Sequence, residues 1–330
     1  MRYLLTRLGA FGDNIILTPV IRKLKLQGHS VVVLTSERGM QVFKNNPNIE
    51  KLIEQKTDEI KIENLESHFE WVKKKNKCDK HIDFSESIEV SLSQHPRGAS
   101  YKLTKPERMA LFNKNFYEHT MEWAGLEWTK EELKGELFFD VSEIESAKKH
   151  IKPGCFNVLI GLSGSGTNKC WPHIMDFCNE TYKLHPNVHF ITVGDVKCQL
   201  LEDSMDEGIT KLSGNISMRE SMALTGLVDL VICPDTGIAH AAGTFDTPII
   251  VLLGHNTIEC ITKHFTNDYS IEADQTLAPC SPCLFLIYNM KLQCPLNPVT
   301  NSSICMADGI PIQKVYDRFK EVYARPKKEE

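Results

Sequence analysis

Three short turns hold the side chains whose types and spacing could do chemistry. The first, Leu8-Gly9-Ala10-Phe11-Gly12-Asp13, ends on a carboxylate at the head of an apolar-periodic helix. Gly9 and Gly12 allow a tight turn and close approach of a ligand to the backbone, with Asp13 on the side facing the cleft. The turn lacks the GxGxxG spacing of a dinucleotide fingerprint, so no nicotinamide cofactor is indicated. By itself Asp13 reads as a helix N-cap before it reads as a catalytic base.

The second turn, Ser163-Gly164-Ser165-Gly166-Thr167-Asn168-Lys169, follows an apolar strand and precedes Trp171-Pro172. Small residues leave backbone N–H groups open, the hydroxyls of Ser163, Ser165 and Thr167 add donors, and Lys169 adds a positive charge. Such a set suits a diphosphate. No GxxxxGK[ST] string occurs, so it is not a Walker A loop, and a plain surface loop is the alternative reading. The third turn, Asp235-Thr236-Gly237, lies between two apolar β-branched runs, with His240 one turn further on. Asp235 or Thr236 can cap a helix whose free N–H groups face the ligand side of an α/β sheet; a simple cap and a core histidine would explain the same residues.

Taken together, the turns put a carboxylate on one half and two anion-receptive helix starts on the other. A nucleotide diphosphate held across a cleft fits that arrangement. No DxD string is present to hold a bridging metal, so Lys169 and helix dipoles would neutralise the diphosphate without a divalent ion.

The elements that position these turns follow from periodicity. Tyr3–Thr6, Val31–Leu34 and Lys80–Phe84 read as strands, with a helix through Ile16, Leu17, Val20, Ile21 and Leu24 closed by Gly28. A helix begins at Thr104-Lys105-Pro106-Glu107 and is expected to run to about Gly125. After Pro153-Gly154 the alternation restarts: strands at 157–162, 188–193, 229–233 and 248–253, and helices at 171–184, 196–205 and 217–225. A ten-residue helical segment is expected between the last two strands, and Gln313–Tyr323 as a closing helix before a solvated tail. The predicted class is α/β, two Rossmann-like doubly wound domains facing each other across a cleft: residues 1–152, residues 153–310 with a cysteine-rich segment at 280–305, and a closing helix and tail at 311–330.

Composition narrows the function. A length of 330 residues suits two such domains. The net charge of −5 and pI near 6.2 argue against a general nucleic-acid binder. No secretory h-region opens the chain and no run approaches a bilayer span, so a cytoplasmic protein is expected. Eleven cysteines, an odd number, fit reduced thiols there.

With these residues in place, the chain resembles glycosyltransferase family nine, the ADP-heptose:lipopolysaccharide heptosyltransferases. The similarity rests on RLGAFGDNIILTPVIRKLK, on Lys169-Cys170-Trp171-Pro172, on LSGNISMRESMALTGLVDLVICPDTGIAHAAG and on TPIIVLLG. It implies a GT-B fold with an acceptor-binding N-terminal half, a donor-binding C-terminal half and an inverting transfer that needs no metal. It matches Asp13 to the general base, Lys169 to the phosphate-binding lysine, and Asp235, Thr236, Gly237 and His240 to the donor motif. Asp195, after the strand ending at Val193, is the nearest match to the family's ribose-binding acid. The donor implied is an ADP-sugar, the sugar a heptose, and the acceptor a hydroxyl of a lipopolysaccharide core, another glycan or a protein. Peripheral contact with the inner membrane would follow from a lipid-linked acceptor.

Two features lie outside those motifs. Cys280-x2-Cys283-x10-Cys294-x10-Cys305 has the spacing of a closed structural Zn or Fe site, and it is similar to the cysteine pattern of iron-binding autotransporter heptosyltransferases, whose spacings are longer. Free thiols in a loop are the alternative. His95, Arg97, Lys102 and Lys105 could meet acceptor phosphates, with Arg97 and Lys102 the chosen candidates, although such a run also reads as a solvated face. Two other functions share the fold: a nucleotide-sugar epimerase, which needs no acceptor, and a non-catalytic nucleotide-sugar-binding protein, which would not need Asp13.

Overall fold

The computed structural model describes residues 1–56, 60–61, 64–85, 87–92, 103–206, 208–285 and 294–325, without the side chains of Val90 and Thr167. Apolar β-branched runs form two wholly parallel sheets, as strands buried on both faces should. The first has order β3-β2-β1-β4, from Arg2–Arg7 (β1), Ser30–Thr35 (β2), Lys51–Glu54 (β3) and Lys80–Asp83 (β4). The second has order β10-β9-β8-β5-β6-β7, from Phe156–Gly161 (β5), Val188–Val193 (β6), Thr210–Lys211 (β7), Leu230–Pro234 (β8), Ile249–Leu253 (β9) and Ile271–Glu272 (β10). In both sheets the chain winds outward one way from the first strand and returns to pair on its other side. The switch points fall between β1 and β4 and between β5 and β8. Ligands of doubly wound sheets bind outside the carboxyl ends of strands at such points. All three polar turns leave those strand ends.

Helices in the first half are Phe11–Leu26 (α1), Glu37–Phe43 (α2), Leu65–Lys75 (α3), Ser87–Ser91 (α4), Lys105–Phe112 (α5), Phe116–Trp123 (α6) and Val141–Lys148 (α7). In the second they are Ile174–Leu184 (α8), Gln199–Glu202 (α9), Met218–Leu224 (α10), Gly237–Ala242 (α11), Ile258–Ile261 (α12), Ile304–Ala307 and the closing helix Ile312–Tyr323. α1 keeps Pro19 inside it; the Ile15 carbonyl that Pro19 cannot serve accepts instead from Thr18 Oγ1 at 2.7 Å. One apolar core runs from Leu5, Ile16 and Val33 of the first half to Leu159, Val231 and Ala239 of the second, so the halves share packed interior as well as a cleft.

Four expected helices come out differently. The single helix expected from Thr104 to about Gly125 is two, because Asn113 leaves helical geometry and Asn115 caps a new helix, accepting from the N–H groups of Tyr117 and Glu118. The break has a use: Asn115 Nδ2 donates to the Glu259 carbonyl at 3.0 Å and Thr257 Oγ1 donates to Asn113 Oδ1 at 2.6 Å, tying the α5–α6 corner to the second half. The segment expected as a helix from Trp171 starts only at Ile174, because Trp171 is drawn into the core with Nε1 donating to the Ile310 carbonyl. Residues 196–205 form a 3₁₀ turn and α9 in place of one helix. The ten-residue helix expected after Gly237 has six residues and ends at Ala242.

Candidate active site

α1 and α11 pack against each other across the two halves with their starts in contact, and glycine is what lets them. A Cβ on Gly12 would lie 3.0 Å from His240 Cδ2 and 3.2 Å from Gly237 Cα, and one on Gly237 would fall inside the Phe11 ring. Gly12 and Gly237 are therefore required by close approach, and Asp13 is brought beside the Asp235-Thr236-Gly237 turn.

Asp13 is not the N-cap: Ala10 is, and Asp13 sits in the first turn with Oδ2 accepting from the Ala10 N–H at 2.7 Å. Its Oδ1 lies 3.2 Å from Arg7 Nη2, and more than a quarter of its side chain faces solvent. Arg7, 1% exposed, reaches up from the end of β1.

The second turn closes as a 3₁₀ turn over Thr167–Lys169, followed by a loop and a turn at Pro172-His173 before α8, so it does not open directly into a helix as expected. Gly164 packs on Thr236 and on the Lys169 stem, joining the second and third turns into one wall. Lys169 Nζ lies 3.4 Å from Asp235 Oδ2. Asp235 is buried; it is a hub rather than an open ligand-binding group, receiving Asn256 Nδ2 at 2.6 Å and standing 3.6 Å from His255 Nε2. Burial alone would raise its pKa, but the charges of Lys169, His255 and His240 and the Asn256 bond outweigh it and hold the carboxyl well below its ordinary range. Burial, with the nearby Lys169 charge, pushes His255 down to about 4, so it stays neutral. Asp235 thus fixes Lys169 at the mouth of the switch point.

His240 is 4% exposed and faces the first half instead of the open cleft. Tyr117 of α6, fully enclosed, hydrogen-bonds its Nδ1 at 3.2 Å. Burial lowers the His240 pKa, opposed by the charges of Asp235 and Asp13. Thr236 Oγ1 is buried without a hydrogen-bond partner among the described residues, a free polar atom at the centre of the wall. Ser163 is half-buried and Ser165 exposed beside it. Asp195 is exposed past the end of β6, where its carboxylate accepts from the Lys197 N–H and neighbours the Cys198 thiol. Gly9 packs on Asp13: a Cβ there would collide with its carboxylate.

The structure therefore gathers Gly9, Gly12, Asp13, Gly164, Lys169, Asp235, Thr236, Gly237 and His240 at adjoining strand ends. Arg97, Lys102 and His95 lie outside the described residues. Lys105 does not face an acceptor: its ammonium is spent on Gln275 Oε1 and on the Pro279 and Ser281 carbonyls of the cysteine-rich segment. Arg7, Glu89, Tyr117, His255 and Asn256 were not picked out from sequence. Asn256 and Glu89 follow β9 and β4, and a search of every strand's carboxyl end would have found them.

Cys280, Cys283, Cys294 and Cys305 line one pocket with Ser303 and His255. Burial and the neighbouring thiols push Cys283 up to about 12 and Cys294 up to about 11. The four are neighbours, and among the described residues no group of three or more donors stands in metal-holding geometry.

No curated protein sequence matches the chain significantly. Its fold is similar to that of a family 9 glycosyl transferase from Veillonella parvula, with a TM-score of 0.69 at 14% identity over 97% of this chain and 96% of that one. The E. coli ADP-heptose lps heptosyltransferase II gives a TM-score of 0.66 at 13% identity over 98% of both chains. The iron-containing dodecameric glycosyltransferase TibC of enterotoxigenic E. coli gives 0.63 at 12% identity over 98% of this chain and 78% of that one. Such identities speak for the fold, a GT-B arrangement of two α/β halves. The family model described as glycosyltransferase family 9 (heptosyltransferase) matches residues 104–284, more than half the chain, including the 163–169 turn and the Asp235–His240 segment. With the site geometry above, that match places the chain in glycosyltransferase family 9, the heptosyltransferases.

Proposed function

We propose that the chain transfers heptose from ADP-heptose to an acceptor hydroxyl with inversion, using Asp13 as general base. The observation that carries this reading is the contact of the α1 and α11 starts, which sets the Asp13 carboxylate against the wall built from Lys169, Asp235 and Thr236. The acceptor oxygen attacks the anomeric carbon as its proton passes to the open edge of Asp13, and the bond to the diphosphate oxygen breaks on the opposite face. Lys169 and the N–H and hydroxyl groups of 163–167 stabilise the leaving diphosphate, with Thr236 Oγ1 as a further donor. Asp195, exposed past the end of β6, meets the nucleoside ribose. An ordinary carboxylate is a weak base, so positioning and leaving-group stabilisation carry most of the rate.

The acceptor side, including Arg97 and Lys102, takes a lipopolysaccharide-core, glycan or protein hydroxyl. No helix among the described residues is long and apolar enough to cross a membrane. The working location is the cytoplasm, at the inner membrane face when the acceptor is lipid-linked. The four cysteines suit a structural Zn or Fe: their pocket offers thiols with no competing carboxylate, and a bound ion would cross-link 280–305.

Calorimetric titration with ADP, UDP and GDP in EDTA, beside Asp13→Asn, tests the reading. Preference for ADP is expected, with Asp13→Asn losing transfer but keeping its ADP affinity. Preference for UDP or GDP overturns the ADP-heptose assignment, and equal loss of binding and transfer in Asp13→Asn overturns the base.

A further inference from the structure

The Asp13 carboxylate shares its arginine with a second carboxylate. Arg7 Nη1 and Nη2 lie 3.1 Å from Glu89 Oε2 and Oε1, a two-pronged pair, while Nη2 also stands 3.2 Å from Asp13 Oδ1. Nη1 donates further to the Phe84 and Ser85 carbonyls, so the guanidinium is clamped at the carboxyl end of β4. Glu89 belongs to α4, which follows β4 at the same switch point that holds Asp13.

A buried guanidinium demands a counter-charge. With Asp13 as its only partner, Arg7 would hold the carboxylate as an ion pair, and a base so held is slow to accept a proton. Glu89 removes that demand. It occupies both terminal nitrogens, leaving Asp13 one 3.2 Å contact and the Ala10 N–H, and gives the three groups a net negative charge. We propose that Glu89 is a positioning residue for transfer, which pairs with Arg7 so that Asp13 is oriented toward the acceptor without being neutralised.

Independent support comes from Glu89 itself. Burial raises its pKa, Arg7 opposes this, and the Asp13 charge raises it further. Among the described residues, His240 from α11 feels the Asp13 charge, and His119 from α6 places its Nε2 3.3 Å from the Ser87 carbonyl.

The first test needs no acceptor. The Glu89 carboxyl carbon, identified by its loss in Glu89→Gln, is titrated by NMR in the wild-type chain and in Asp13→Asn. Its midpoint is expected to fall when the Asp13 charge is removed; an unchanged midpoint overturns the proposal.

The second test follows transfer from ADP-heptose to a lipopolysaccharide core against pH. Glu89→Gln should lower kcat about tenfold and move the acid limb to lower pH, because Arg7 is left uncompensated. ADP affinity should not change, and Glu89→Asp, which keeps the charge, should restore the limb. A wild-type profile in Glu89→Gln, or equal slowing in both variants with an unmoved limb, defeats the assignment. The inference rests on Asp13 as base. Asp13→Asn that still transfers defeats that reading, whereas an inactive Asp13→Asn beside a wild-type Glu89→Gln defeats only this one.

Discussion

Lys169 and Asp235 show how a buried carboxylate can work at one remove. Asp235 is buried and fully engaged, so its carboxylate acts by holding Lys169 and Asn256. Lys169→Ala should therefore do two things. It removes a charge-assisted contact to phosphate, costing about 2 kcal/mol or roughly 30-fold in ADP affinity. It also strands a buried carboxylate, lowering stability by about 3 kcal/mol. Calorimetry reads the first and thermal melting the second; unchanged ADP affinity would remove Lys169 from the phosphate site. Asp13 was legible as a candidate from its place after Gly12. Its partner Arg7 was not, because a lone arginine at a strand end gives no signal of where its guanidinium is clamped.

At the scale of elements, α1 and α11 form the joint that makes one site of two halves. Gly237→Ala would drive a methyl into the Phe11 ring and push the helix starts apart. A cost of about 1–3 kcal/mol is expected. Transfer should suffer more than ADP binding, because Asp13 and the donor wall then lie on separating elements. A melt and a steady-state assay check both; wild-type kcat in a folded Gly237→Ala would show that the joint does not position the base. The split between α5 and α6 belongs here too. Apolar periodicity continues through Asn113-Lys114-Asn115, and only cross-half bonds to Thr257 and Glu259 explain why the chain turns.

For the whole molecule, one buried tie between halves away from the site is Arg219 of α10. Its guanidinium, 3% exposed, pairs with Glu143 of α7 and donates to the Gln41 and Phe138 carbonyls. The hydrogen bond from Arg219 draws the Glu143 pKa down from 4.5 to about 2 despite partial burial. A carboxyl with a depressed folded pKa contributes stability above its unfolded value and loses it as pH falls to the folded one. Glu143 should thus cost the fold roughly 3 kcal/mol between pH near 5 and pH near 2. His255, kept neutral with its pKa lowered from 6.5 to about 4, adds a loss of the same sign over that higher window. Melts across pH 7 to 2 should fall in both ranges, and Arg219→Ala should flatten the lower one; an unchanged slope would dismiss the pair as the acid-sensitive tie. The cysteine-rich segment is a second whole-molecule tie, since Lys105 and Arg108 of α5 donate to its carbonyls. Cys280→Ser/Cys283→Ser should lose bound Zn or Fe by elemental analysis; retained metal would rule the cluster out.

The sequence by itself determined the parallel sheets, the three turns at strand ends and the family motifs, because each depends on local spacing: apolar runs, glycines and helix starts within a few residues. It also marked Asp13 and Lys169, whose places in those turns are local. Tertiary structure alone decided that Asp235 is a buried hub, that Lys105 serves the cysteine-rich segment, and that His240 bonds Tyr117 across 123 positions of chain. It alone joined Arg7, Glu89 and Asp13, since β1 and β4 become neighbours only when the sheet winds back. Burial and charge pairing are set by which distant surfaces meet, and local spacing carries no record of that.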